Sequence, residues 1–217
     1  MLIFTQPTVG MFKLLNLMFM ELTKVERINS IILAAFSEFV EKGYEQTSMN
    51  NIAERAKLSK GGLYHHFISK EELLFAVNSY IMQPIAALMR KTELYDNTFE
   101  GLRQFIKGYF DFWIEHRKEL EINLIVISKL VQSKKGQDTY NEYITNMKSF
   151  FEFMLIKAIE KKIIKNCNIN LISSLLFTIL EGNLIKIASN NYVDSKILTN
   201  ELDKVIFDEL EIKLGWF

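Results

Sequence analysis

The stretch between Arg55 and Lys70 has the side chains best suited to chemistry with an anion. The whole chain is neutral, with 26 basic and 26 acidic residues, so a run of one sign is a local feature. A neutral protein that binds a polyanion must do so through a local surface of this kind. The run has no carboxylate, and its basic and imidazole residues are Arg55, Lys57, Lys60, His65, His66 and Lys70.

Two short helices joined by a tight turn are predicted to present this surface. A hydroxyl residue precedes each helix, Thr47 or Ser48 before the first and Ser59 before the second, and its oxygen is suited to accept an unpaired first-turn amide. Within the second helix the apolar residues are four apart and face inward. The residues left facing outward are Lys60, Gly61, Gly62, Tyr64 and His65.

The adjacent glycines Gly61 and Gly62 are unusual on an outward helix face. Each costs about 1 kcal/mol relative to alanine in a helix interior. Glycine suits a position where the backbone must approach a partner closely. Ser, Tyr and Lys side chains, which surround this pair, are common phosphate contacts in protein–DNA interfaces.

The stretch resembles the helix-turn-helix of the TetR family of bacterial transcriptional regulators. The spacing, the turn and the exit helix agree over roughly residues 24 to 75, about a quarter of the chain. The matching residues are Ile52-Ala53, Ala56, Leu58-Ser59-Lys60-Gly61, Leu63-Tyr64, His66-Phe67 and Ser69-Lys70-Glu71-Glu72-Leu73.

The resemblance implies that the helix starting at Ser59 enters the major groove of double-stranded DNA. The residues nearest the base edges would be Lys60, Gly61, Gly62 and His65. The residues that hold phosphates would be Ser48, Tyr64 and Lys70. The DNA-binding residues expected on this basis are Thr47, Ser48, Lys57, Ser59, Lys60, Gly61, Gly62, Tyr64, His65 and Lys70.

Two positions depart from the family's usual pattern. Lys57 occupies a turn position where the family usually has glycine with a left-handed backbone. A non-glycine residue costs on the order of 1 kcal/mol there, so we predict either a positive φ at Lys57 or a remodelled turn. Gly62 stands where Thr or Ser is common, which suggests a smaller base-reading surface.

The composition favours an all-α fold, and the sequence motifs do not indicate an enzyme. Among 217 residues there are only two prolines and nine glycines, and few alternating β-branched runs occur. Cys167, the single cysteine, cannot form an internal disulfide and indicates a reducing, cytoplasmic compartment. The three histidines have no metal-ligand spacing, and no phosphate loop or nucleophile elbow is present, so we expect no metal, cofactor or catalytic residue.

Three segments are predicted: an N-terminal extension over residues 1–22, a helix-turn-helix DNA-binding domain over 23–71, and a larger helical ligand-binding and dimerisation domain over 72–217. The extension is too short and too interrupted for a spanning helix. It is either a translated segment upstream of a natural start at Met20 or an amphipathic extension of the fold, with membrane contact as a further alternative.

The body is predicted from helical periodicity. Pro84 should kink a long helix that links the predicted DNA-binding domain to the ligand-binding and dimerisation domain. The helix Lys118–Gln132 is expected at the centre, and Ser133–Asp138 is expected to be a loop. The helices predicted along the chain are Lys24–Lys42, Ser69–Tyr95, Phe99–Arg117, Lys118–Gln132, Tyr140–Lys165, Leu171–Ser189 and Asp194–Leu214.

By the resemblance, the last two helices form a homodimer as a four-helix bundle, and two heads then match a palindromic site. Gly182 would allow the helices to cross closely. Glu181 and Asn183 interrupt an apolar helix and need polar partners. A polar pair at the dimer seam is preferred for them, with a ligand contact as the alternative.

The family's body usually holds an effector pocket, and an aromatic group is the candidate lining. The alternative is a plain aromatic core. An apolar or aromatic small molecule is the effector expected from such a lining. The candidate ligand-binding residues are Phe105, Tyr109, Phe110, Trp113, Phe151 and Phe177.

The function expected on these grounds is that of a ligand-responsive transcriptional regulator. A repressor is expected because most members of the family are repressors, and the effector would release it from DNA. The hypothesis is that effector binding shifts the kinked helix and changes the spacing of the two heads. A helical membrane-associated protein or a protein-interaction scaffold is the alternative, although neither explains the Lys60-Gly61-Gly62 sequence. No membrane partner is expected.

Overall fold

The protein is all-helical in the parts of the chain that the structure describes, as predicted. This computed structural model describes residues 9–189 and 193–211, with side chains from Lys24 onward. Extended pairing within these ranges is limited to one bridge between Ile164 and Glu211. The helices are α1 (Val9–Lys42), α2 (Met49–Arg55), α3 (Lys60–His66), α4 (Lys70–Ile81), α5 (Gln83–Thr92), α6 (Thr98–Glu115), α7 (Arg117–Leu130), α8 (Lys134–Glu160), α9 (Ile169–Ser189), α10 (Ser195–Leu202) and α11 (Asp208–Leu210), with a π-helical turn at Asp203–Phe207.

The chain divides into two compact units, residues 1–80 and residues 81–217. The domain boundary predicted from the sequence, between residues 71 and 72, lies before this division and near the start of α4. We call the first unit the head and the second the body, and describe each by itself.

The head has an apolar core to which each of its four helices contributes. Leu63 of α3 is fully buried, and burying a leucine contributes about 1.5–3 kcal/mol. This core fixes which side of α3 faces inward. The other large buried side chains are Ile31 and Phe39 of α1, Ile52 of α2, Phe67, and Leu73, Leu74 and Val77 of α4.

Helix α1 is longer than predicted, because it begins at Val9 rather than at Lys24. The sequence from Met11 to Thr23 has no glycine or proline, so no residue breaks the helix there. The expectations of a natural start at Met20 and of a membrane contact concern residues 1–8 and the side chains before Lys24. These lie outside the described part of the chain.

The end of α1 agrees with the sequence. Gly43 has a φ of 82° and donates its amide to the carbonyl of Phe39 at 2.9 Å, as a glycine just past a helix end should. Tyr44 is buried, and its ring packs edge-on against Phe39 with centroids 5.3 Å apart. The ring of Tyr44 therefore closes the corner before α2.

The helix around Pro84 is interrupted, but by a break between two helices rather than by the predicted kink within one helix. Helix α4 ends at Ile81, and α5 begins at Gln83 with the proline in its first turn. A first-turn residue needs no amide hydrogen, so proline is accommodated there without a lost hydrogen bond. The helix also ends at Thr92, short of the predicted Tyr95.

The centre of the body is α6, and the prediction for α7 was wrong. Helix α7 buries only one face, with Ile125 and Ile127 left half-exposed. Charged residues in its first turn keep that end at the surface. Helix α6 instead buries most of its apolar residues: Phe99, Leu102, Phe105, Ile106, Tyr109, Phe110 and Trp113.

Helix α8 starts six residues before the predicted Tyr140, so the expected loop at Ser133–Asp138 is mostly helix. The Ser133 hydroxyl accepts a hydrogen bond from the amide of Gly136 at 3.1 Å and caps the first turn. Gly136 is needed for packing, because a Cβ there would collide with the main chain of Leu130. The helix ends at Glu160, before the predicted Lys165.

The final predicted helix is interrupted within its described part. A π-helical turn follows α10, and Arg103 of α6 holds this region through ion pairs with Asp203 at 2.9 Å and Glu211 at 3.0 Å. The predicted end at Leu214 lies outside the described residues.

Helix α9 buries one face and exposes an apolar one. Leu176, Leu180, Leu184 and Ile187 are buried, whereas Leu171, Leu175 and Ile185 are 53%, 41% and 67% exposed. Two stretches, Lys70–Thr92 and Ile169–Ser189, have the length and composition of membrane-crossing helices, which is also typical of helices that bury apolar surface in a soluble protein.

Candidate functional site

The first short helix of the head is capped by Ser48. The Ser48 hydroxyl accepts from the amide of Asn51 at 3.2 Å, and the Asn51 side-chain oxygen accepts from the Ser48 amide at 3.1 Å. This reciprocal pair is a capping box and fixes where α2 begins. Ser48 rather than Thr47 is therefore the N-cap, and it is exposed.

Thr47 is a structural residue of the head, so the prediction that it contacts DNA was wrong. Its side chain is only 2% exposed. Its hydroxyl lies 3.1 Å from the carbonyl oxygen of Glu38 and 2.9 Å from that of Gly43, so it can donate to the end of α1. A buried hydroxyl with main-chain acceptors has no access to a phosphate.

The turn between α2 and α3 confirms the predicted backbone of Lys57, whose φ is 55°. Lys57 donates its amide to the carbonyl of Glu54 at 3.0 Å, and Leu58 donates to Ala53 at 2.9 Å. These two bonds form a Schellman motif, which ends a helix with one left-handed residue. The turn therefore keeps the standard geometry despite the lysine, and the Lys57 side chain is exposed.

Helix α3 presents one polar face. The Ser59 hydroxyl accepts from the amide of Gly62 at 3.1 Å, which caps the helix. Leu63 and Phe67 are buried on the inner side, as predicted. The opposite side exposes Ser59, Lys60, Gly61, Tyr64 and His65 and leaves Gly62 half-buried. We call this set the α3 face.

The two glycines of the α3 face differ in their surroundings. A Cβ on Gly61 would meet nothing within 4 Å, whereas one on Gly62 would lie 3.3 Å from the Ser59 hydroxyl oxygen. Neither glycine has a positive φ. The fold of the head therefore does not require glycine at position 61, and its absence of a side chain leaves the backbone open to an approaching partner.

Arg55 does not add to the positive surface, contrary to the sequence analysis. Its guanidinium pairs with both carboxylate oxygens of Glu41 and donates to Glu38 at 2.8 Å. Lys42 also pairs with Glu38, at 2.8 Å. Burial acts to raise the pKa of Glu38, but the hydrogen bonds from Lys42 and Arg55 outweigh it and lower the pKa. The cationic surface is thus centred on α3 and the turn before it.

Lys70 has acceptors within the head. Its ammonium donates to the carbonyls of Tyr44 at 2.8 Å and Glu45 at 3.3 Å, and lies 4.3 Å from the centroid of the Tyr44 ring. These contacts fasten the start of α4 to the corner after α1. Its side chain remains partly exposed, beside the capped turn at Ser69.

The candidate effector residues of the body lie in one aromatic core, apart from Phe177. Phe105 lies 6.0 Å from Tyr109 and 5.9 Å from Phe151, measured between ring centroids. Tyr109 in turn lies 6.1 Å from Phe110 and 6.2 Å from Trp113. These five side chains are almost fully buried.

Phe177 belongs to a second group that the sequence analysis only partly identified. Its ring packs edge-on against Tyr143 of α8, 6.1 Å away, and both side chains are half-buried. Tyr143 donates its hydroxyl to Glu181 at 2.9 Å, and Tyr109 donates to the same oxygen at 3.2 Å. A glutamate on an apolar helix was the sequence feature that indicated a polar group here. Its two tyrosine partners could not be predicted from the sequence.

Glu181 and Asn183 find their hydrogen bonds inside the body. Asn183 donates to the carbonyl of Ile179 in its own helix at 2.7 Å. Burial raises the pKa of Glu181, and the hydrogen bonds from Tyr143 and Tyr109 offset this only in part. The inward direction of Glu181 does not support the preferred expectation of a polar pair at the dimer seam.

One surface pocket of about 180 Å³ lies between α5 and α6. Lys107 and Asp111, which form an ion pair with each other, line its polar side. Among the described side chains, no three His, Cys, Asp or Glu residues are grouped so as to hold a metal ion.

Comparison with known proteins identifies the architecture of the head. The family model described as bacterial regulatory proteins, tetR family, matches residues 31–77. The TetC protein of transposon Tn10 from Escherichia coli is 30% identical over 143 residues, which are 63% of this chain and 72% of that protein. Further curated relatives match over less than half of their own length.

Solved structures extend the likeness to the body. A Clostridium perfringens protein described as a regulator of fatty acid metabolism is 28% identical, with a TM-score of 0.64 over 85% of this chain and 100% of that chain. AibR, solved with isovaleryl coenzyme A and operator DNA, is 19% identical, with a TM-score of 0.63 over 83% of this chain and 98% of that chain, and shares the fold.

Proposed function

Because the chain belongs to the TetR family of bacterial transcriptional regulators, we propose that it binds palindromic operator DNA as a homodimer and releases it when a small effector binds the body. Its place of action is then the cytoplasm, and a repressor role is the proposed mode. No catalytic step is part of this function.

The observation that carries the proposal is the α3 face. A helix whose inner side is fixed by Leu63 exposes Lys60, Tyr64 and His65 around a glycine that nothing in the head requires. Lysine and tyrosine suit phosphates, and a bare backbone suits close approach in the major groove. Lys60, Gly61, Gly62 and His65 would approach base edges.

The phosphate contacts proposed around α3 are Ser48, Lys57, Ser59 and Tyr64, which are all exposed. Lys70 acts mainly by fixing α4 to the corner at Tyr44, with a phosphate contact as a secondary role. Thr47 and Arg55 are not included, because their polar groups are already engaged within the head.

The proposed dimer surface is the exposed apolar side of α9 together with the last helix. Leu171, Leu175 and Ile185 lie on the same side as Gly182, at which a Cβ would meet nothing within 4 Å. Pairing two copies of this surface would remove exposed leucine and isoleucine from water. Leu175→Glu should therefore yield a monomer in sedimentation velocity, and a variant that stays dimeric would move the interface elsewhere.

The proposed effector site lies in the body, at or beside the aromatic core, as the family resemblance implies. AibR binds an acyl thioester and operator DNA on the same fold, which supports coupling of the two sites without identifying this chain's ligand. The ligand must bind the DNA-competent and released states unequally. The break between α4 and α5 replaces a kinked helix as the place where the linking chain could change direction.

The test is footprinting of DNA upstream of the protein's own gene across a salt series. A protected palindrome with steeply salt-dependent affinity is expected. Lys60→Ala should weaken binding by about 1–3 kcal/mol. Glu54→Ala, an exposed change on α2 outside the α3 face, serves as the control and should not weaken it.

Absence of protection there would be followed by genome-wide selection of bound fragments. If no specific fragment were recovered at low salt, the DNA-binding function would be wrong. Partition of the protein into lipid vesicles in that case would favour the membrane-associated reading that the apolar surface of α9 allows.

A further inference from the structure

Glu181 is a carboxylate placed where three helices of the body meet. It extends from α9 and accepts hydrogen bonds from Tyr109 of α6, at 3.2 Å, and Tyr143 of α8, at 2.9 Å. Both hydroxyls bond the same oxygen, Oε1. The pairing spans 72 and 38 residues of sequence, so the tertiary fold brings this group together.

Within the described residues this carboxylate has no cationic partner. It forms no ion pair there, and the groups that act on its pKa are the two tyrosine hydroxyls in addition to its burial. A buried carboxylate without a cation is costly, because desolvation penalises the charge. Among the residues that the structure describes, the body therefore leaves this carboxylate without a compensating cation.

Aromatic rings pack around Tyr143, one of the two tyrosines that bond this carboxylate. Tyr140 stacks on Tyr143 with centroids 6.0 Å apart, and Phe177 packs edge-on against Tyr143. Tyr140 is also close enough to Glu181 for that carboxylate to add to the rise that burial causes in the pKa of its hydroxyl. Tyr140, Tyr143, Phe177 and Glu181 are half-buried, so the group reaches the surface of the body.

We propose that this cluster of Glu181 with Tyr109, Tyr140, Tyr143 and Phe177 binds an organic cation with an apolar or aromatic body, which is the effector class of this regulator. The inference rests on the proposed function and specifies its ligand. An aromatic ring attracts a cation through its negative face, and the attraction grows when the cation is desolvated. The carboxylate supplies the opposite charge, for which no described side chain provides a cation.

The proposal revises the uncharged effector expected from sequence. The aromatic surroundings remain suited to an apolar body, but Glu181 adds a negative charge that disfavours an anion. An acyl thioester of coenzyme A, which AibR binds, is anionic and is the competing class. The two classes differ in charge, so the same variants separate them.

The experiment is calorimetric titration of the full chain at pH 8 with benzyltrimethylammonium. Benzyl alcohol and phenylacetate provide aromatic probes of similar size with no charge and negative charge, and isovaleryl coenzyme A represents the acyl class. Glu181→Gln keeps an acceptor for both tyrosines and removes the charge. Glu152→Gln is the matched control, since Glu152 is another half-buried body glutamate and accepts from Ser173 at 3.2 Å.

Binding of the cation in preference to the other probes is expected, with a loss of at least about tenfold in Glu181→Gln and none in Glu152→Gln. Tyr143→Phe should weaken binding less, because the ring remains. No binding of benzyltrimethylammonium, equal affinity in Glu181→Gln, or preference for phenylacetate or isovaleryl coenzyme A would overturn the proposal.

Operator binding is measured separately on the same samples. Cation binding without DNA binding would contradict the proposed regulator but keep the cation site. DNA binding without cation binding would do the reverse. Both functions together predict that saturating benzyltrimethylammonium lowers operator affinity in the wild type and not in Glu181→Gln.

Discussion

The α3 face and the Glu181 cluster use polar groups in opposite surroundings. On α3, the polar side chains are exposed, come from seven consecutive residues and are held by a cap and one buried leucine. In the body, one half-buried carboxylate depends on tyrosines from two other helices. The first arrangement suits a large, hydrated polyanion, and the second suits a small cation that loses its water.

The difference also concerns what each unit must keep rigid. The α3 face needs only the orientation of a short helix, whereas the Glu181 cluster needs the relative positions of α6, α8 and α9. Damage to the head core should therefore affect DNA binding alone, and damage to the body core should affect the cation site.

The largest expected effect is that of Leu63→Ala. Removing a fully buried leucine should destabilise the head by about 2–5 kcal/mol and abolish operator binding. Denaturant unfolding and DNA titration would measure both. Leu180→Ala, at a similarly buried site of α9, is the counterpart and should impair benzyltrimethylammonium binding. Equal loss of cation binding in Leu63→Ala would break the comparison.

A smaller effect is expected at the two lysines with positive φ. Lys57 has a φ of 55° and Lys162 a φ of 57°, and each ends a helix in the left-handed region. Glycine relieves this strain, so Lys57→Gly and Lys162→Gly should each raise stability by about 1 kcal/mol in thermal unfolding. Stability that falls in both variants would show that the lysine side chains outweigh the strain.

Only the head lysine should alter DNA binding. If Lys57 contacts a phosphate, Lys57→Gly should reduce the salt slope of operator binding by about 1. Lys162→Gly should leave it unchanged. An unchanged slope in both would remove Lys57 from the proposed phosphate contacts.

The pH dependence of stability should reflect the half-buried carboxyl group of Glu181. Its pKa is raised in the folded state, so it stabilises the fold relative to a normal glutamate at low pH and loses this contribution as pH rises through the folded pKa. Glu181→Gln should therefore gain in melting temperature relative to the wild type as the pH rises above 4.5, the ordinary pKa of glutamate. Glu152→Gln should show no such trend, and parallel curves for wild type and Glu181→Gln would contradict the raised pKa.

Local sequence was sufficient where the structure is local. Ser59 and Lys57 act within a few residues of themselves, and the cap and the left-handed turn were predicted from their types and spacing. The inward direction of Leu63 and Phe67 followed from periodicity. These features define α3 and its outer face.

Long-range partners were the part that could not be predicted. Arg55 looked like part of a cationic surface because the run from Arg55 to Lys70 contains no carboxylate, yet Glu38 and Glu41, 17 and 14 residues upstream, pair with it. Glu181 was recognised as needing partners, but two distant tyrosines provide them. Periodicity also could not rank the two apolar helices α6 and α7 by burial.

The most direct test of the central claim, that the α3 face approaches DNA, is the operator affinity of Gly61→Ala together with its stability. Alanine has free space at this site and favours a helix, so the head should be as stable as the wild type or more stable by up to about 1 kcal/mol. Operator affinity should nevertheless fall, because the new methyl group enters the space that the DNA would occupy. An unchanged or higher affinity in this stable variant would contradict the account.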